Sequence, residues 1–390
     1  MPLIDIGLAL RSARGANPAS MPEILAKTAA EFGATDLVVY LVDFGQTLLE
    51  PMPDRAAHAD VPVTEGLATM AGRAFTDQQV VTAERDNGVR VWAPIVEGSD
   101  HTGVVAFTLP TIAEELIHTA AELGILAGYL IAAHARCTDL YNLYRRRKSM
   151  SLAASMQWDL LPPLILRAGN VRVAGVVEPA YEVGGDCFDY AVNGAAFDFA
   201  IIDAMGHGLG SAVISSLAMG CYRHDRREGH SLVAMHDNLG STIASHYRDS
   251  SFATGVLARI DLDTGMLTWT NAGHPLPLLI RNGQVIAQLE CEPTPPWGIF
   301  PHSPTMANQQ LEPGDCVMLY TDGVIEARTP EGELFGIERL IELTNRHASD
   351  FLRPERILRH IVTSVLDHQA SEDLADDATV VVVRWDGTHI

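Results

Sequence analysis

Hairpin signals in the second half of the chain limit the fold more than any other feature. Strand-like runs at Val256–Asp261 and Leu267–Asn271 flank an Asp-Thr-Gly turn, and runs at Pro277–Arg281 and Gln284–Leu289 flank Asn282-Gly283. Asn-Gly between two apolar runs is a strong hairpin signal, because both residues tolerate positive φ. Hairpins join antiparallel strands, so the sequence predicts antiparallel sheets and not a doubly wound parallel sheet.

Further strands and helices fit the same architecture. Apolar, β-branched runs predict additional strands at Val171–Val177, Phe197–Asp203, Cys316–Thr321 and Thr379–Trp385. Helical periodicity predicts helices at about Gly210–His224, Leu232–His246, Glu338–Asn345 and Pro354–His368. We therefore expect an α+β domain in which helices flank antiparallel sheets.

Acidic motifs mark the ends of these strand-like runs. They are VGGDCFDY from Val183, IIDAMGHG from Ile201, YTDG from Tyr320 and DDATVVVV from Asp376. Aspartates that stand where strands end can converge on one point after folding. Carboxylate oxygens are the hard ligands that Mg²⁺ and Mn²⁺ prefer. The motifs therefore predict a metal-dependent hydrolase.

The order of the motifs resembles that of a known family. GGDCFDY, DAMGHGLGSAVISSLAM, NAGHPLPLL, LEPGDCVMLYTDGVIEA, GELFG and DDATVVVV follow one another over about Leu160–Trp385. This succession is similar to the bacterial SpoIIE/RsbU-type branch of the PPM (PP2C-like) serine/threonine phosphatases. The resemblance implies a PPM-type sandwich of two antiparallel β-sheets flanked by helices, which we assign to residues 164–387. It also implies two Mn²⁺ or Mg²⁺ ions at one end of the sandwich.

The same resemblance implies a set of metal ligands and catalytic residues. Asp203 would bridge both ions, and the backbone carbonyl of Ala204 would add a ligand. Asp186 would hold one ion largely through water, while Asp322 and Asp376 would bind the other side of the pair. Two such cations lower the pKa of a bridging water, which can attack phosphorus in line without a phosphoenzyme.

Other polar residues lie beside this set without a clear place in it. Asp377 adjoins Asp376, and the sequence leaves open which of the two is the ligand. Asp189 is expected to cap a turn, with a role behind the ligands or at a third metal as the alternative. His207 and His274 are expected to shape loops, and Asn271–His274 is expected to form a turn near the site.

The first part of the chain resembles a different family. Helical spacing at Pro22–Phe32 precedes strand-like Leu37–Asp43, and further strands are predicted at Val89–Ile95 and Gly103–Leu109. With the segments VYLVDFGQTLLEP, GLATMAGRAFTDQQVV and RVWAPIVEGSDHTGVVAF, residues 20–135 resemble a GAF domain. The resemblance implies a small-molecule sensor or a dimerisation module. A scaffold without a ligand is the alternative, and the residues identify no ligand.

A helical linker, residues 136–163, is predicted to join the two domains. An apolar seam alternates steps of three and four residues along Leu123, Leu126, Leu130, Ala133, Cys137, Leu140 and Tyr144. Such a seam favours a parallel homodimer helix through which a sensor could act on the second domain. Packing of the helix on its own domain is the alternative. Pro162-Pro163 would end the helix.

Net charge and composition limit the classes of partner and the cellular location that we expect. The net charge of −22 disfavours nucleic acid and anionic membranes. Basic clusters at Arg145–Lys148 and Arg223–Arg227 are interpreted as solvated helix faces, with docking as the alternative. No apolar run reaches the roughly 18 residues of a membrane span, and no signal peptide is recognisable, so we expect a cytoplasmic location. Five widely spaced cysteines without a CxxC pair argue against disulfides and structural zinc.

The expected partner is a phosphorylated protein substrate, which by resemblance would be a STAS-domain anti-sigma-factor antagonist. Two other functions stay open. The chain could be a catalytically silent regulator that binds a partner through the same fold, although the intact acidic motifs argue against this. It could also hydrolyse a small phosphate ester or nucleotide, although it lacks a P-loop and a GxGxxG motif.

Overall fold

The computed structural model describes residues 4–52, 61–62, 69–179, 181, 184–247, 251–292, 294–299, 303–347, 354–370, 374 and 376–388. The chain divides into two compact units, Met1–Ser149 and Met150–Ile390. The division falls inside the segment predicted to be a helical linker. Each unit has its own hydrophobic core.

The N-terminal unit is a six-stranded antiparallel sheet with helices on both faces. Its elements in chain order are α1 (Ile6–Ala13), α2 (Met21–Ala30), β1 (Thr35–Val42), β2 (Leu48–Met52), β3 (Val61–Pro62), α3 (Met70–Asp77), β4 (Val81–Arg85), β5 (Gly88–Glu97), β6 (Asp100–Leu109), α4 (Glu114–Ala135) and α5 (Leu140–Arg145). The strand order is β3-β2-β1-β6-β5-β4. The strands predicted here are present, and the GAF-like identity of the unit stays a prediction.

Side chains alternate between two cores along the strands of this sheet. On β1, Val39 and Leu41 pack with α1, α2 and α4. Val38 and Tyr40 point to the opposite face, where they pack with Phe75 of α3. Successive residues of a strand point to opposite faces, so a strand that is buried on both sides reads as a nearly continuous apolar run.

The helix that the heptad seam predicted to continue into a coiled coil ends at Ala135. Leu123, Leu126 and Leu130 of the seam are buried in the core of their own unit. The chain then forms α5 and, after a break, α6 (Leu152–Leu160). The prediction of an uninterrupted helix is therefore wrong, and packing on its own unit explains the apolar spacing of α4.

Helix α4 also has the length and apolar composition of a membrane span. Within the described residues it is the one helix that meets both conditions, and half of its apolar stretch is buried inside the protein. Burial in a sheet-covering position accounts for a helix that is apolar on most sides.

Part of the basic cluster at the end of α5 binds its own unit. Arg145 donates from Nε to the carbonyl of Val42 at 2.9 Å, and its guanidinium lies 4.6 Å from the ring centroid of Phe44. Arg147 lies 3.5 Å from the buried carboxylate of Glu50. These contacts attach the end of α5 to the β1–β2 hairpin, so the interpretation of this cluster as solvated is wrong for Arg145, whereas Arg147 and Lys148 are exposed.

The C-terminal unit begins with α6 and contains two antiparallel sheets. Its further elements are β7 (Ile165–Ala168), β8 (Val171–Glu178), β9 (Asp186–Asn193), β10 (Ala196–Ala204), α7 (Leu209–Arg227), α8 (Leu232–Tyr247), β11 (Ala253–Asp261), β12 (Met266–Ala272), β13 (Leu278–Arg281), β14 (Gln284–Gln288), β15 (Ala307–Gln310), β16 (Cys316–Tyr320), α9 (Asp322–Ile325), α10 (Gly336–Arg346), α11 (Pro354–Gln369) and β17 (Ala378–Trp385). The sheet orders are β15-β12-β11-β10-β9 and β14-β13-β16-β17-β8-β7.

The two sheets pack face to face and helices cover their outer faces. Residues such as Phe199 and Val256 of one sheet form a common core with Val173 and Val381 of the other. Helices α7 and α8 cover the five-stranded sheet, and α10 and α11 cover the six-stranded sheet. The predicted antiparallel sandwich flanked by helices is confirmed.

Both predicted hairpins are present. In the β13–β14 hairpin, Arg281 pairs with Gln284 around Asn282 and Gly283, whose φ angles are 52° and 74°. These positive values explain why the turn requires Asn-Gly. In the β11–β12 hairpin, β11 begins three residues before the predicted Val256, ends at Asp261 as predicted, and β12 is one residue longer than predicted at each end.

Candidate metal centre

The first pair of predicted ligands lies on neighbouring strands at one end of the five-stranded sheet. In the antiparallel ladder between β9 and β10, Asp186 stands directly opposite Asp203. On its other side, Asp203 pairs with Thr254 of β11. Asp186 begins β9, and Asp203 lies one residue before the end of β10. The register alone therefore brings two carboxylates to the same edge.

The second pair comes from the other sheet. Asp322 begins α9 directly after β16, and Asp376 precedes β17, which pairs with β16. Thr321, between β16 and α9, donates from Oγ1 to a carboxylate oxygen of Asp186 at 2.7 Å. This hydrogen bond links the edges of the two sheets, so the structure brings all four predicted aspartates to one end of the sandwich.

The carboxylates raise one another's pKa values. Burial raises the pKa of Asp186 well above its usual range, and repulsion from Asp203 and Asp377 adds to this effect. Burial also raises the pKa of Asp203, with further repulsion from Asp322 and Asp376. For Asp322 the pKa is raised in the same direction, again mainly by burial. Several carboxylates held this close to one another create a site that favours a multivalent cation.

The neighbouring residues Asp376 and Asp377 differ in burial and in their contacts. Asp377 is buried, and its Oδ2 accepts the backbone N–H groups of Gly185 at 2.5 Å and Asp186 at 3.1 Å. Asp376 is exposed, and its side chain accepts the N–H of Asp377 at 3.0 Å. Asp377 thus holds the loop before β9, while Asp376 presents a carboxylate toward Asp203 and Asp322.

The Gly184-Gly185 loop is held closely by helix α7. Ser211 donates to the carbonyl of Gly184 at 3.1 Å, and Ser215 donates to the carbonyl of Gly185. A Cβ atom at Gly185 would lie 3.1 Å from the carbonyl oxygen of Ala204. A side chain at Gly185 would therefore crowd that carbonyl, which is the predicted backbone ligand.

Asp189 lies inside β9 and does not cap a turn, so that prediction is wrong, while a role behind the ligands or at a third metal stays a prediction. It is buried and forms ion pairs with Arg223 at 2.9 Å and Arg226 at 2.8 Å. The guanidinium of Arg226 also lies over the ring of Tyr222, 5.0 Å from its centroid. Arg223 and Arg226 therefore bind a buried carboxylate, so the interpretation of this cluster as a solvated face is wrong for these two residues, whereas Arg227 is exposed.

The predictions for the two histidines agree with the structure. Burial lowers the pKa of His274 to about 3, so the ring is neutral, and its Nδ1 lies 2.8 Å from the Thr254 hydroxyl. Asn271 accepts the His274 N–H at 2.8 Å and donates to its carbonyl at 2.9 Å, which forms the expected turn. His207 lies exposed in the loop before α7.

The residues present fit divalent cations that keep much of their water. Across the described ranges, no three His, Cys, Asp or Glu side chains are arranged to ligate one metal ion together. The aspartates nevertheless repel one another at one end of the sandwich, where the loop that contains Gly185 lies close to the Ala204 carbonyl. Mg²⁺ is commonly held by one or two carboxylates and several waters, so such a dispersed acidic site suits it or Mn²⁺.

Comparison with known proteins gives the family of this region. Residues 193–386 match the sequence model of Stage II sporulation protein E, SpoIIE. This part of the chain belongs to the SpoIIE family. The match begins within β9, so Asp203, Asp322 and Asp376 lie inside the SpoIIE region and Asp186 lies just before it.

Individual relatives of the SpoIIE region are distant in sequence. Protein IcfG of Synechocystis sp. is 26% identical over 266 residues, which cover 61% of this chain and 41% of that protein. Phosphoserine phosphatase RsbU of Bacillus subtilis is 25% identical over 291 residues, which cover 73% of this chain and 85% of that protein. The chain thus spans less than half of IcfG and most of RsbU.

A solved structure agrees with the fold of the SpoIIE region. The SiaA-PP2C domain of Pseudomonas aeruginosa superimposes with a TM-score of 0.51 at 21% identity, covering 60% of this chain and 94% of that domain. The predicted PPM-type fold is therefore confirmed for the C-terminal unit.

Several residues that build the site were missed from the sequence. Thr321 orients Asp186, and Gln157 of α6 donates to the Asp186 carbonyl at 2.6 Å. Ser211 and Ser215 are four residues apart on α7, a spacing that places them on one face of the helix and could have indicated a shared contact. Gln157 had no such signal, because its partner lies 29 residues away on a different element.

Proposed function

We propose that the C-terminal unit is a Mn²⁺- or Mg²⁺-dependent protein phosphatase that hydrolyses phosphoserine or phosphothreonine. The supporting observation is the convergence of Asp186, Asp203, Asp322 and Asp376 from both sheets of a SpoIIE-family sandwich. Similarity to a phosphoserine phosphatase, RsbU, supports a phosphoprotein substrate. By the same resemblance, that substrate would be a phosphorylated STAS-domain anti-sigma-factor antagonist in the cytoplasm.

In this proposal the residues have different roles. Asp203, Asp186, Asp322 and Asp376 would hold two ions together with the Ala204 carbonyl. When bound, the ions supply an activated water and neutralise charge on the phosphoryl oxygens. Thr321 and Asp377 are positioning residues, because the first orients the Asp186 carboxylate and the second holds the backbone of Gly185 and Asp186.

The N-terminal unit has a proposed regulatory role. It would act as a GAF-like sensor, with or without a small-molecule ligand, and could hold two copies of the chain together as a homodimer. Its separate core supports a unit that changes the activity of its neighbour without taking part in the reaction.

The test is hydrolysis of p-nitrophenyl phosphate by the full chain, with Mn²⁺ and with EDTA. We expect turnover that requires Mn²⁺ and falls about 100-fold or more in Asp203→Ala, because loss of a direct ligand should cost at least as much as loss of a residue behind the ligands. The control is Asp263→Ala, since Asp263 is exposed in the β11–β12 turn. Metal-independent turnover, or equal rates in Asp203→Ala and wild type, would refute the proposal.

The same assay separates Asp376 from Asp377. Asp376→Ala should raise the Mn²⁺ concentration needed for half-maximal activity by about 10-fold or more, with little change in thermal stability. Asp377→Asn should lower the thermal stability, because the two hydrogen bonds from backbone N–H groups to the buried carboxylate are weakened when its charge is removed. The reverse pattern would make Asp377 the ligand.

A further inference from the structure

A row of apolar side chains lies exposed directly after the central aspartate. Met205, Leu209 and Val213 are 50%, 50% and 42% exposed. Leu209 and Val213 are one turn apart on α7, so they share a face of the helix. We call these three residues the apolar rim. Single exposed apolar residues are ordinary on protein surfaces, whereas several on one face indicate a binding surface.

The local structure places the apolar rim at the edge of the carboxylate cluster. Met205 is two residues from Asp203, and the chain turns from β10 into α7 through Gly206 and Gly208, whose φ angles are 85° and 78°. Ser211, between the two rim residues of α7, bonds the carbonyl of Gly184 in the loop that leads to Asp186. The first turns of α7 therefore border the proposed metal centre.

The charge on another part of the border is negative. Glu326, which is not among the proposed ligands, is exposed and lies close enough to Asp322 to raise the pKa of that carboxyl group. A phosphorylated segment that carried further acidic side chains would meet repulsion there. Apolar side chains beside the phosphate would instead bury the surface of Leu209 and Val213, which removes apolar area from water on both molecules.

We propose that the apolar rim binds apolar residues that flank the phosphoserine of a protein substrate, so that the enzyme selects phosphosites with apolar neighbours over acidic ones. The inference rests on the proposed phosphatase function and adds to it the chemistry of the segment recognised. It also explains how a metal centre that would accept any phosphate monoester can prefer one phosphorylation site. The apolar rim would contact the residues beside the phosphoserine, and those residues differ from one site to another.

The experiment uses the full chain with Mn²⁺ and three synthetic phosphoserine peptides, flanked on both sides by Leu, by Gly or by Asp. Phosphate release gives kcat/KM for each peptide, and p-nitrophenyl phosphate gives the reference rate of every variant. Wild type is expected to favour the Leu peptide over the Gly peptide about tenfold, as burial of one or two half-exposed aliphatic side chains allows, and to hydrolyse the Asp peptide most slowly.

Leu209→Ser and Val213→Ser should each reduce the ratio of the Leu to the Gly peptide by about threefold or more. The matched control is Ile286→Ser on β14, because Ile286 is 49% exposed and lies on the outermost strand of the other sheet. It should leave the ratio unchanged. An equal fall in all three variants would show a loss unrelated to the apolar rim and would overturn the inference.

Two failures can be told apart. Hydrolysis of p-nitrophenyl phosphate without a preference for the Leu peptide, or with a preference for the Asp peptide, would overturn the apolar rim and leave the phosphatase intact. No Mn²⁺-dependent hydrolysis of any of the four compounds would refute the phosphatase and the apolar rim with it.

Discussion

At the scale of single residues, the carboxylates of the proposed metal centre destabilise the metal-free protein. Asp186 and Asp203 face each other across a ladder, and both pKa values are raised by burial and by neighbouring carboxylates. A carboxyl group whose pKa is higher in the folded than in the unfolded state makes the folded protein bind more protons. Stability without metal therefore falls as pH rises from the ordinary pKa of about 4 through the raised values.

Removal of one of these charges should stabilise the metal-free protein. We expect Asp203→Asn to raise the Tm of the C-terminal unit in EDTA at pH 8 by about 2–4 °C, because it relieves repulsion worth about 1 kcal/mol. The gain should shrink as the pH falls toward 4, where the wild-type carboxyl is protonated. Thermal unfolding with EDTA and with Mn²⁺ measures both effects.

The control for this variant is Asp263→Asn in an exposed turn, which should leave the Tm unchanged at every pH. Mn²⁺ should raise the Tm of wild type by more than that of Asp203→Asn. A Tm of Asp203→Asn below that of wild type in EDTA at pH 8 would contradict the account of mutual repulsion.

The four aspartates could be recognised from the sequence because each adjoins a strand end and belongs to a motif with a fixed order. The interior use of Asp189 could not, since Arg223 lies 34 residues away on a helix that only the folded sandwich brings near. The different positions of Asp376 and Asp377 could not be predicted from the sequence either. It depends on which carboxylate reaches the backbone of Gly185, a contact made 192 residues away.

At the scale of elements, local turn chemistry was the most informative signal. The β13–β14 hairpin was predictable because Asn282 and Gly283 fix the turn by themselves. Strand β15, with the sequence Ala-Asn-Gln-Gln, was not predicted, because a polar edge strand has no apolar alternation to reveal it. The coiled coil was predicted wrongly since an a/d seam and a helix packed on a sheet have nearly the same spacing.

Gly323 tests how closely α9 must approach the strand that follows Asp376. A Cβ atom there would lie 1.9 Å from the carbonyl oxygen of Asp377, so Gly323→Ala must push α9 away from this backbone. We expect a free energy of unfolding lower by about 1–3 kcal/mol and phosphatase activity reduced at least about tenfold, because Asp322 would move with the helix. Urea unfolding and p-nitrophenyl phosphate assays measure the two effects.

The matched control is Gly220→Ala in the middle of α7, where a Cβ atom would meet nothing within 4 Å. Alanine is the better helix former, so this variant should be up to about 1 kcal/mol more stable than wild type. Similar results for the two variants would show that the close approach of α9 is not required.

Helix α4 permits a second comparison between adjacent residues. Leu130 is 3% exposed and Tyr129 is 59% exposed. Leu130→Glu should lower the free energy of unfolding of the N-terminal unit by about 3–5 kcal/mol, because it buries an unpaired charge. Tyr129→Glu should change it by less than about 1 kcal/mol. Circular dichroism during urea unfolding measures this, and equal stability of the two variants would restore the coiled-coil interpretation of the seam.

At the scale of the whole molecule, two units with separate cores share one chain. The C-terminal strand β17 lies inside its sheet between β16 and β8, so the sandwich closes only when residues more than 200 positions apart have met. The sequence predicted two units joined by residues 136–163, and the division after Ser149 falls inside that segment. It did not show that Arg145 and Arg147 bind the N-terminal unit. Such contacts depend on tertiary structure and leave no periodic signal.

This organisation predicts that the chain from Met150 to Ile390 folds and functions alone. Among the described residues its core includes none from the N-terminal unit, and the carboxylates that would hold metal all lie within it. We expect a cooperative thermal transition and Mn²⁺-dependent hydrolysis of p-nitrophenyl phosphate that disappears in Asp203→Ala. If the N-terminal unit regulates the enzyme, kcat of the shortened chain will differ from that of the full chain by at least about threefold. Equal kcat values of the two chains, with p-nitrophenyl phosphate and with the phosphoserine peptides, would instead mean that the N-terminal unit has no influence on the reaction. A shortened chain that does not fold would show that the two cores depend on each other.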